Sequence, residues 1–452
     1  MIFSNHQRVV RPLLFLLIVL GAAVLRAAYN SNTIILEPIR ADAAYNLVYA
    51  NNLLEDHTFS KDMSAEPVPD AYWAPGYPLF LASIIEASDL ISADTYNLIL
   101  LCQLILGVGT VFLSYLVGVS FLPGYWPILP ATLVAISPHL VSTGSYVLTE
   151  TLFCFLLILS IYGLVGALGS NRSRNWLLAG LCFALTYLVN PVSLFLTPIL
   201  AAVLGLHVLR KSDGADSVSI SRNTLILMLP VIIVFAAWSL RSVISVPAGQ
   251  PTASDRLLTN LTIGLYPDYH EKWRSSILEP EKNVVVPGRG VDESYHAFFA
   301  ELISNVSREP MHMLAWYSLH KPALLWDWDI RTGFGDIYIY RVEQSLYHTS
   351  KPAIVSYSLM YAMHKWVLVG AVLGLVFLFA DRSKNALVPA ILYVTLIYVS
   401  LVYVITQSEP RYSIPLRPFL YLCFTYFLWQ TTQWVGRFRH RALTSTQTES
   451  PQ

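Results

Sequence analysis

Apolar residues fall along this chain in long blocks that polar segments separate. Most blocks are close to the ~20 residues that an α-helix needs to cross a bilayer, so each is predicted to be a membrane-spanning helix. The fifth block is short, and Asn190-Pro191 marks its turn into the sixth. The ten predicted spans lie near residues 10–28, 96–121, 126–145, 147–169, 176–189, 191–209, 224–246, 357–380, 386–406 and 414–435.

Lysine and arginine gather in alternate connections between these blocks, and with ten spans every such cluster lies on one side. The positive-inside rule identifies that side as the cytoplasm, so both termini are predicted to be cytoplasmic. A cleaved signal peptide is not favoured, because no convincing small-residue cleavage site follows the apolar run Leu13–Val24. The clusters are Arg8 and Arg11; Arg172 and Arg174; Arg210, Lys211 and Arg222; Arg382 and Lys384; and Arg437, Arg439 and Arg441.

Two long segments, 29–95 and 247–356, fall on the outer side. The chemistry is expected there, because the cytoplasmic connections are too short to build a site. The predicted organisation is an N-terminal transmembrane module at 1–246, an extracytoplasmic loop region at 247–356, C-terminal transmembrane helices at 357–436 and a cytoplasmic tail at 437–452.

Composition agrees with an all-α polytopic membrane protein. Hydrophobic residues make up 55% of the chain and charged residues 13%, about half the charged fraction of a soluble domain. The formal net charge is zero, so nothing points to nucleic acid as a partner. The four cysteines lie inside apolar blocks without metal-ligand spacing and are interpreted as small core residues.

The first outer loop carries an amphipathic helical pattern. Its apolar stripe is formed by Ala43, Leu47, Ala50 and Leu54. The opposite face holds Asp42, Tyr45, Tyr49 and Asn52, as in a helix that lies at the membrane interface with its tyrosines at headgroup level. Asp42 lies in the first turn. It is either an acid that the helix dipole stabilises or a general base at the membrane surface.

Downstream, the segment 72–80 combines two prolines, one glycine and several aromatic residues. This composition predicts a fixed turn anchored at the interface. The apolar stretch 79–91 is then predicted to re-enter the membrane as a short helix, because Glu86 and Asp89 interrupt it.

This order of elements resembles the C-type glycosyltransferase superfamily (GT-C), and within it the protein-mannosyltransferase-like branch that includes the lipid A aminoarabinose transferases. The segments that resemble family landmarks are Ser137-Pro138 with Tyr146–Thr151, Trp238-Ser239-Leu240-Arg241 and Glu409–Leu416. Together with the first outer loop they cover roughly residues 10 to 430.

The resemblance implies a polyprenyl- or dolichyl-phosphate sugar donor and an acceptor met on the outer face. Asp42 would be the catalytic base, Glu150 the second essential carboxylate and Arg241 the ligand of the carrier phosphate. Aminoarabinose transferases carry Glu-Lys-Pro-Pro where this chain has Trp73-Ala74-Pro75-Gly76. The phosphate-contacting lysine and the proposed metal-ligating acid are therefore absent, which leaves a divalent metal cofactor and a lipid A acceptor open.

The expected reaction needs a cation beside the leaving phosphate and a base beside the acceptor hydroxyl. Arg411, Tyr412 and Arg40 are further candidates for phosphate binding, because a guanidinium fork binds two phosphate oxygens. Direct attack opposite the phosphate would invert the anomeric carbon without a covalent enzyme intermediate. Arg241 and Arg411 could instead be interfacial arginines that extend to lipid headgroups, and Glu150 could be an acid that the helix dipole stabilises. Arg411 could also pair with Glu409 and Tyr412, and Arg40 with Glu37 or Asp42.

The second outer loop predicts a helix from about Asp292, which Pro310 ends, and a second helix near 311–326. The cluster Trp326-Asp327-Trp328-Asp329 is either a sugar-binding surface or, as the safer interpretation, an aromatic belt at the interface. The weaker candidates for acceptor or sugar contacts are Tyr45, Tyr77, Trp326, Asp327 and Glu409.

Two other classes of function compete with a transferase. A transporter or flippase for lipid-linked sugars should show internal repeats and charges deep inside spans, and neither is visible. An oligosaccharide polymerase or ligase would place its catalytic loop late in the chain. The sugar, the acceptor (a lipid-linked glycan, a cell-wall polymer or a protein) and the oligomeric state are not readable. The expected location is a bacterial inner membrane.

Overall fold

The computed structural model describes residues 5–170, 172–209, 215–282, 284–287, 294–381 and 386–447. Its regular secondary structure is almost entirely helical, as expected for an all-α membrane protein. The N-terminal half of the chain contains ten α-helices among the described residues. They are α1 Asn5–Asn32, α2 Asp42–Glu55, α3 Gly76–Ile91, α4 Thr95–Val119, α5 Ile128–Ile136, α6 Pro138–Thr143, α7 Thr149–Ser170, α8 Ser173–Val189, α9 Leu196–Leu209 and α10 Ala215–Ser245.

The second half begins with short helices of the outer loop and ends with three long helices. They are α11 Ala253–Ile263, α12 Tyr269–Leu278, α13 Tyr295–Arg308, α14 Pro310–Ala315, a π-helical turn Trp316–His320, α15 Lys321–Leu325, α16 Leu346–Thr349, α17 Lys351–Ala380, α18 Leu387–Ile405, α19 Pro410–Ser413 and α20 Arg417–Gln447. Short 3₁₀ turns occupy Pro191–Ser193, Pro280–Lys282 and Ile414–Leu416.

Six described helices are long and apolar enough to cross a membrane: Val10–Asn32, Thr95–Val119, Thr149–Ser170, Arg222–Ser245, Lys351–Ala380 and Leu387–Ile405. Large apolar side chains on these helices face outward; Val243 is 82% exposed and Phe379 is 85% exposed. Continuous apolar surface of this kind is what a bilayer covers. The chain is an integral membrane protein, while the count of ten spans remains a prediction.

Helices occupy all ten predicted blocks, but the third block is not one helix. It is divided into α5 and α6 at Ser137, whose backbone is extended at φ −63° and ψ 114°. Pro138 causes the break, because its ring disfavours helical geometry in the preceding residue and it has no N–H to donate. The prediction of a continuous span over 126–145 is therefore wrong.

The two outer loops meet in a two-stranded antiparallel sheet. β1 (Ile34–Ile35) belongs to the first loop and β2 (Val342–Gln344) to the second. Leu36 extends the pairing, since its N–H donates to the carbonyl of Arg341 over 2.8 Å. Both long loops therefore lie on the same side of the helix bundle, as the alternation of basic connections predicts. Of those basic residues, Arg210, Lys211, Arg382 and Lys384 lie outside the described residues.

The helix predicted over 79–91 is present as the 16-residue α3, which is too short to be among the six long apolar helices. Its re-entry into the membrane stays a prediction. Gly76 at its start lies against the backbone of α8. A Cβ there would come within 2.7 Å of the carbonyl carbon of Leu188 and the nitrogen of Val189. Only glycine permits this approach, and it fixes the turn 72–80 of the first outer loop against the bundle.

The second outer loop differs in detail from its prediction. Helix α13 begins at Tyr295, where the Ser294 side chain accepts a hydrogen bond from the Ala297 N–H. The predicted first-turn acids Asp292 and Glu293 lie outside the described residues. Pro310 opens the next helix, as expected for a residue that cannot continue the previous one.

Candidate active site

Asp42 opens helix α2 at the mouth of the bundle, and its side chain is 40% exposed. The residue before it, Ala41, has φ 46° and ψ −122°, a left-handed backbone that a residue with a Cβ rarely adopts. No side chain caps this helix end. Backbone strain of this kind persists only where the surrounding structure holds it in place, and it is common at functional sites.

Glu150 lies in the first turn of α7 and is buried, with its side chain 6% exposed. It follows the turn after α6, so the break at Pro138 and the start of α7 together bring this acid beside the first outer loop. A buried carboxylate requires a partner that offsets its lost hydration.

Arg411 in α19 is that partner and joins the two acids. Its Nη2 lies 3.0 Å from Asp42 Oδ2, and its Nε makes a very close contact with Glu150 Oε1. Burial would lower the pKa of the Arg411 guanidinium, but the Glu150 and Asp42 carboxylates outweigh it and raise that pKa well above its ordinary value. Three residues from distant parts of the chain therefore form one charged cluster, which we call the carboxylate–guanidinium cluster.

The alternative pairing of Arg411 with Glu409 does not occur. Glu409 is 1% exposed, and its Oε1 accepts hydrogen bonds from the N–H groups of Arg331 and Thr332 over 2.9 and 3.1 Å. His270 Nε2 lies 3.0 Å from its other oxygen. Glu409 holds the second outer loop in place and is not available to a sugar, contrary to its assignment from the sequence.

Two tyrosines adjoin the cluster. Burial raises the pKa of Tyr412 and of Tyr340 above the ordinary range, although Arg411 opposes the rise in both. Both hydroxyls therefore stay protonated and able to donate. The Tyr340 hydroxyl donates to the carbonyl of Arg40 over 3.0 Å, which ties the segment just before α2 in the first outer loop to the second outer loop.

Arg241 binds the first outer loop itself. Its Nη1 donates to the carbonyl of Asp70 over 2.5 Å and its Nη2 to that of Phe59 over 3.2 Å. Its guanidinium also lies over the rings of Phe59 and Trp238, 5.4 and 5.1 Å from their centroids. These contacts give Arg241 a structural role, and its predicted role in binding phosphate stays a prediction.

Arg256 is a cation near the cluster that sequence reasoning did not single out. It lies on α11, with its guanidinium 4.7 Å from the centre of the Trp73 ring. It interacts electrostatically with Tyr49 and Tyr403, and Tyr403 also interacts electrostatically with Glu150 and Arg411. The pattern Thr252-x-x-Asp255, which forms a capping box at the start of α11, could have indicated that this cation is held in place.

The remaining candidates divide by exposure. Tyr45 is 42% exposed beside Trp73 and can meet a ligand. Tyr77 is fully buried and donates to Gln103 Oε1 over 3.1 Å, so it does not face a sugar. Arg40 lies 3.9 Å from Glu37, which confirms that pairing alternative. Helix α2 also differs from its prediction, because Tyr49 is fully buried and bonded to Asp70 instead of lying at headgroup level.

The aromatic cluster after α15 is mostly interior. Trp328 is 5% exposed; its indole N–H donates to Asp336, and its ring packs edge-on against His139 and His364. It forms neither a sugar platform nor an interfacial belt. Trp326 packs partly buried against the core. Asp327 pairs with Arg331 over 2.5 Å at the edge of the site.

A divalent metal does not fit this cluster as it stands. Among the described residues no group of three or more histidine, cysteine, aspartate or glutamate side chains converges as metal ligands. Asp42 and Glu150, the two acids nearest to such a site, both face the Arg411 guanidinium.

No family model matches this chain, and no curated protein matches it. Solved structures of the archaeal oligosaccharyltransferase AglB from Archaeoglobus fulgidus do. The complex with an inhibitory peptide and a dolichol-phosphate is 13% identical, covers 98% of this chain and 52% of its own, and has a TM-score of 0.51. The enzyme tethered to an acceptor peptide containing the NVT sequon is 12% identical over 94% and 50% of the chains, with a TM-score of 0.49. Its complex with Zn and sulfate is 11% identical over 91% and 48%, with a TM-score of 0.46.

The first of these likenesses establishes the fold. This chain spans about half the length of AglB, and its helices share the fold of that solved structure. The fold agrees with the GT-C-like architecture that the sequence resemblance implied. The narrower resemblance to the protein-mannosyltransferase-like branch stays a prediction.

Proposed function

We propose that this integral membrane protein of GT-C fold is a glycosyltransferase that moves a sugar from a polyprenyl-phosphate carrier to an acceptor hydroxyl on the extracytoplasmic face. The observation that carries the proposal is the carboxylate–guanidinium cluster. Asp42, Glu150 and Arg411 come from the first outer loop, the start of α7 and the segment before α20, yet they meet at one point beside both outer loops.

Asp42 is the base in this proposal. Arg411 holds its Oδ2, and within the described part of the chain its Oδ1 accepts no hydrogen bond. This oxygen is therefore free to take the proton of the acceptor hydroxyl. The acceptor oxygen forms a bond to the anomeric carbon as the bond to the phosphate oxygen breaks, and the carrier phosphate leaves with the electron pair. Attack opposite the phosphate inverts the anomeric centre.

The leaving phosphate needs a cation that is not already neutralised. Arg256 meets this requirement best. It has no carboxylate within ion-pair distance among the described residues, and it lies over Trp73 next to the exposed Tyr45. Two nitrogens of the Arg411 guanidinium already donate hydrogen bonds to Asp42 and Glu150, and two of Arg241 donate to backbone carbonyls. Arg256 is therefore proposed as the ligand of the donor phosphate in preference to Arg241 and Arg411, while Tyr412 and Arg40 stay as further candidates.

A panel of polyprenyl-phosphate sugars tests the activity with purified protein in nanodiscs. Wild type should release polyprenyl phosphate from at least one donor, and Arg256→Ala should raise the donor KM more than it lowers kcat. Asp268→Asn is the control, because Asp268 is an exposed acid beside the start of α12 whose one ion pair among the described residues is with Lys272. If no donor turned over while lipid-linked sugar crossed a proteoliposome bilayer, a transporter would replace this proposal.

Two kinds of donor fit the proposal, a single sugar and a preassembled glycan, and the fold shared with an oligosaccharyltransferase favours testing the second. AglB is seen with dolichol-phosphate and with an acceptor peptide in its structures. A ligase would transfer an intact oligosaccharide from its carrier and would leave monosaccharide donors untouched. The same assay with lipid-linked oligosaccharides and peptide or glycan acceptors separates the two.

A further inference from the structure

The position between Asp42 and Glu150 is where two acids would hold a divalent cation. Oxygen atoms of both carboxylates face one guanidinium, at 3.0 Å from Nη2 for Asp42 and in close contact with Nε for Glu150. The N–H groups on Nε and Nη2 lie side by side on one edge of a planar fork. The two carboxylates therefore converge on a single positive group.

The nearby acids do not provide a further ligand. Glu409 is held by two backbone N–H groups and lies beside His270. Asp327 pairs with Arg331. A hard cation such as Mn²⁺ or Mg²⁺ needs about six oxygen ligands. To bind here it would have to displace the Arg411 fork or lie against its charge.

We propose that Arg411 is a built-in cation: its guanidinium takes the place of a divalent metal between Asp42 and Glu150, so the protein works without one. The inference deepens the proposed function. Only metal-independent turnover rests on that function, because the cation-binding behaviour follows from the cluster alone. Arg411 is a positioning residue in this account. It fixes the orientation of Asp42 and neutralises part of the charge of the two acids.

Removing the guanidinium leaves two converging carboxylates, one of them nearly buried, with water able to enter the vacated volume. Two carboxylates with water ligands are a common way of holding Mg²⁺ or Mn²⁺. Arg411→Ala should therefore create a divalent-cation site that the wild type lacks.

The test measures Mn²⁺ binding by electron paramagnetic resonance and thermal stability in Mn²⁺ or in EDTA, using purified protein in nanodiscs. Wild type should bind no Mn²⁺ and keep the same melting temperature in both. Arg411→Ala should bind Mn²⁺ and be stabilised by it, and the added substitution Glu150→Gln should abolish this binding. Neither readout requires turnover, so a failed activity assay bears on the proposed function and not on this inference.

Wild-type binding of Mn²⁺ that Asp42→Asn removes would overturn the proposal, and so would folded Arg411→Ala that binds none. If Arg411→Ala does not fold, Arg411→Gln serves in its place, because it removes the charge and keeps a polar side chain that can donate to one carboxylate. For an active donor, wild-type turnover that is equal in EDTA and in Mn²⁺ supports the inference. A tenfold or greater loss in EDTA that Mn²⁺ restores contradicts it.

Discussion

Lys321 is a buried cation whose protonation should make the stability of this protein depend on pH. The residue is only 1% exposed. Its Nζ donates to the carbonyls of Gly264 and Thr406 over 3.1 and 2.6 Å, so it ties the second outer loop to the end of α18. Burial lowers the pKa of Lys321 from 10.5 to about 7, and no acidic side chain among the described residues offsets it.

The unfolded chain keeps an ordinary lysine pKa, so between about pH 7 and pH 10.5 it holds a proton that the folded protein has released. The free energy of unfolding therefore rises with pH over that range. Proton linkage for one such group gives an increase of about 2 kcal/mol from pH 7 to pH 9. Well below pH 7 both states carry the proton, and this contribution no longer changes with pH.

Lys321→Met should remove that increase. The substitution also leaves the Thr406 carbonyl without its donor, at a cost of about 1–3 kcal/mol at every pH. The Gly264 carbonyl keeps the hydrogen bond from the Trp316 indole. The diagnostic quantity is therefore the difference in stability between pH 7 and pH 9, measured by denaturant unfolding of wild type and variant in the same detergent.

The matched control is Lys272→Met, because the Lys272 side chain is 45% exposed and pairs with Asp268 on the surface. It should leave the wild-type pH dependence unchanged. A Lys321→Met variant with the same difference between pH 7 and pH 9 as wild type would refute the reasoning, since the titrating group would then be another one.

Three further substitutions test the packing around the cluster. Arg411→Ala should lower the free energy of unfolding by about 3–5 kcal/mol, because it leaves the buried Glu150 carboxylate unpaired. Denaturant unfolding measures this loss, and the double variant Arg411→Ala, Glu150→Gln should recover part of it. Ala41→Gly should raise stability by about 1 kcal/mol by relieving its left-handed backbone, whereas Ala44→Gly inside α2 should lower it by about as much; equal effects would contradict the strain. Gly76→Ala should destabilise by about 1–3 kcal/mol through its clash with α8, and an unchanged melting temperature would argue against that contact.

The positions of the helices could be read from the sequence, because apolar length is the dominant constraint on a chain in a bilayer. The common side of Asp42, Glu150 and Arg411 also followed from the alternation of basic connections. Their contact did not, because Asp42 and Arg411 are 369 residues apart in the chain, and no local pattern encodes such a pairing.

Other structural features could not be predicted, because the same local sequence is compatible with two different structures. The strands β1 and β2 are two and three residues long, too short for an alternating pattern to identify. Tyr49 and Trp328 were expected at the interface, where such rings are common. Both instead find hydrogen-bonding partners inside the protein, Asp70 and Asp336, which lets a polar aromatic side chain be buried.

The proposed transfer mechanism depends most on Asp42, the base that activates the acceptor hydroxyl. The direct measurement is kcat on an active polyprenyl-phosphate donor for wild type, Asp42→Asn and the control Asp268→Asn, with folding verified by melting temperature. The account predicts that Asp42→Asn loses about two to four orders of magnitude in kcat while Asp268→Asn retains it. A folded Asp42→Asn variant that turns over at the wild-type rate would contradict the account and would move the search for the base to Glu150.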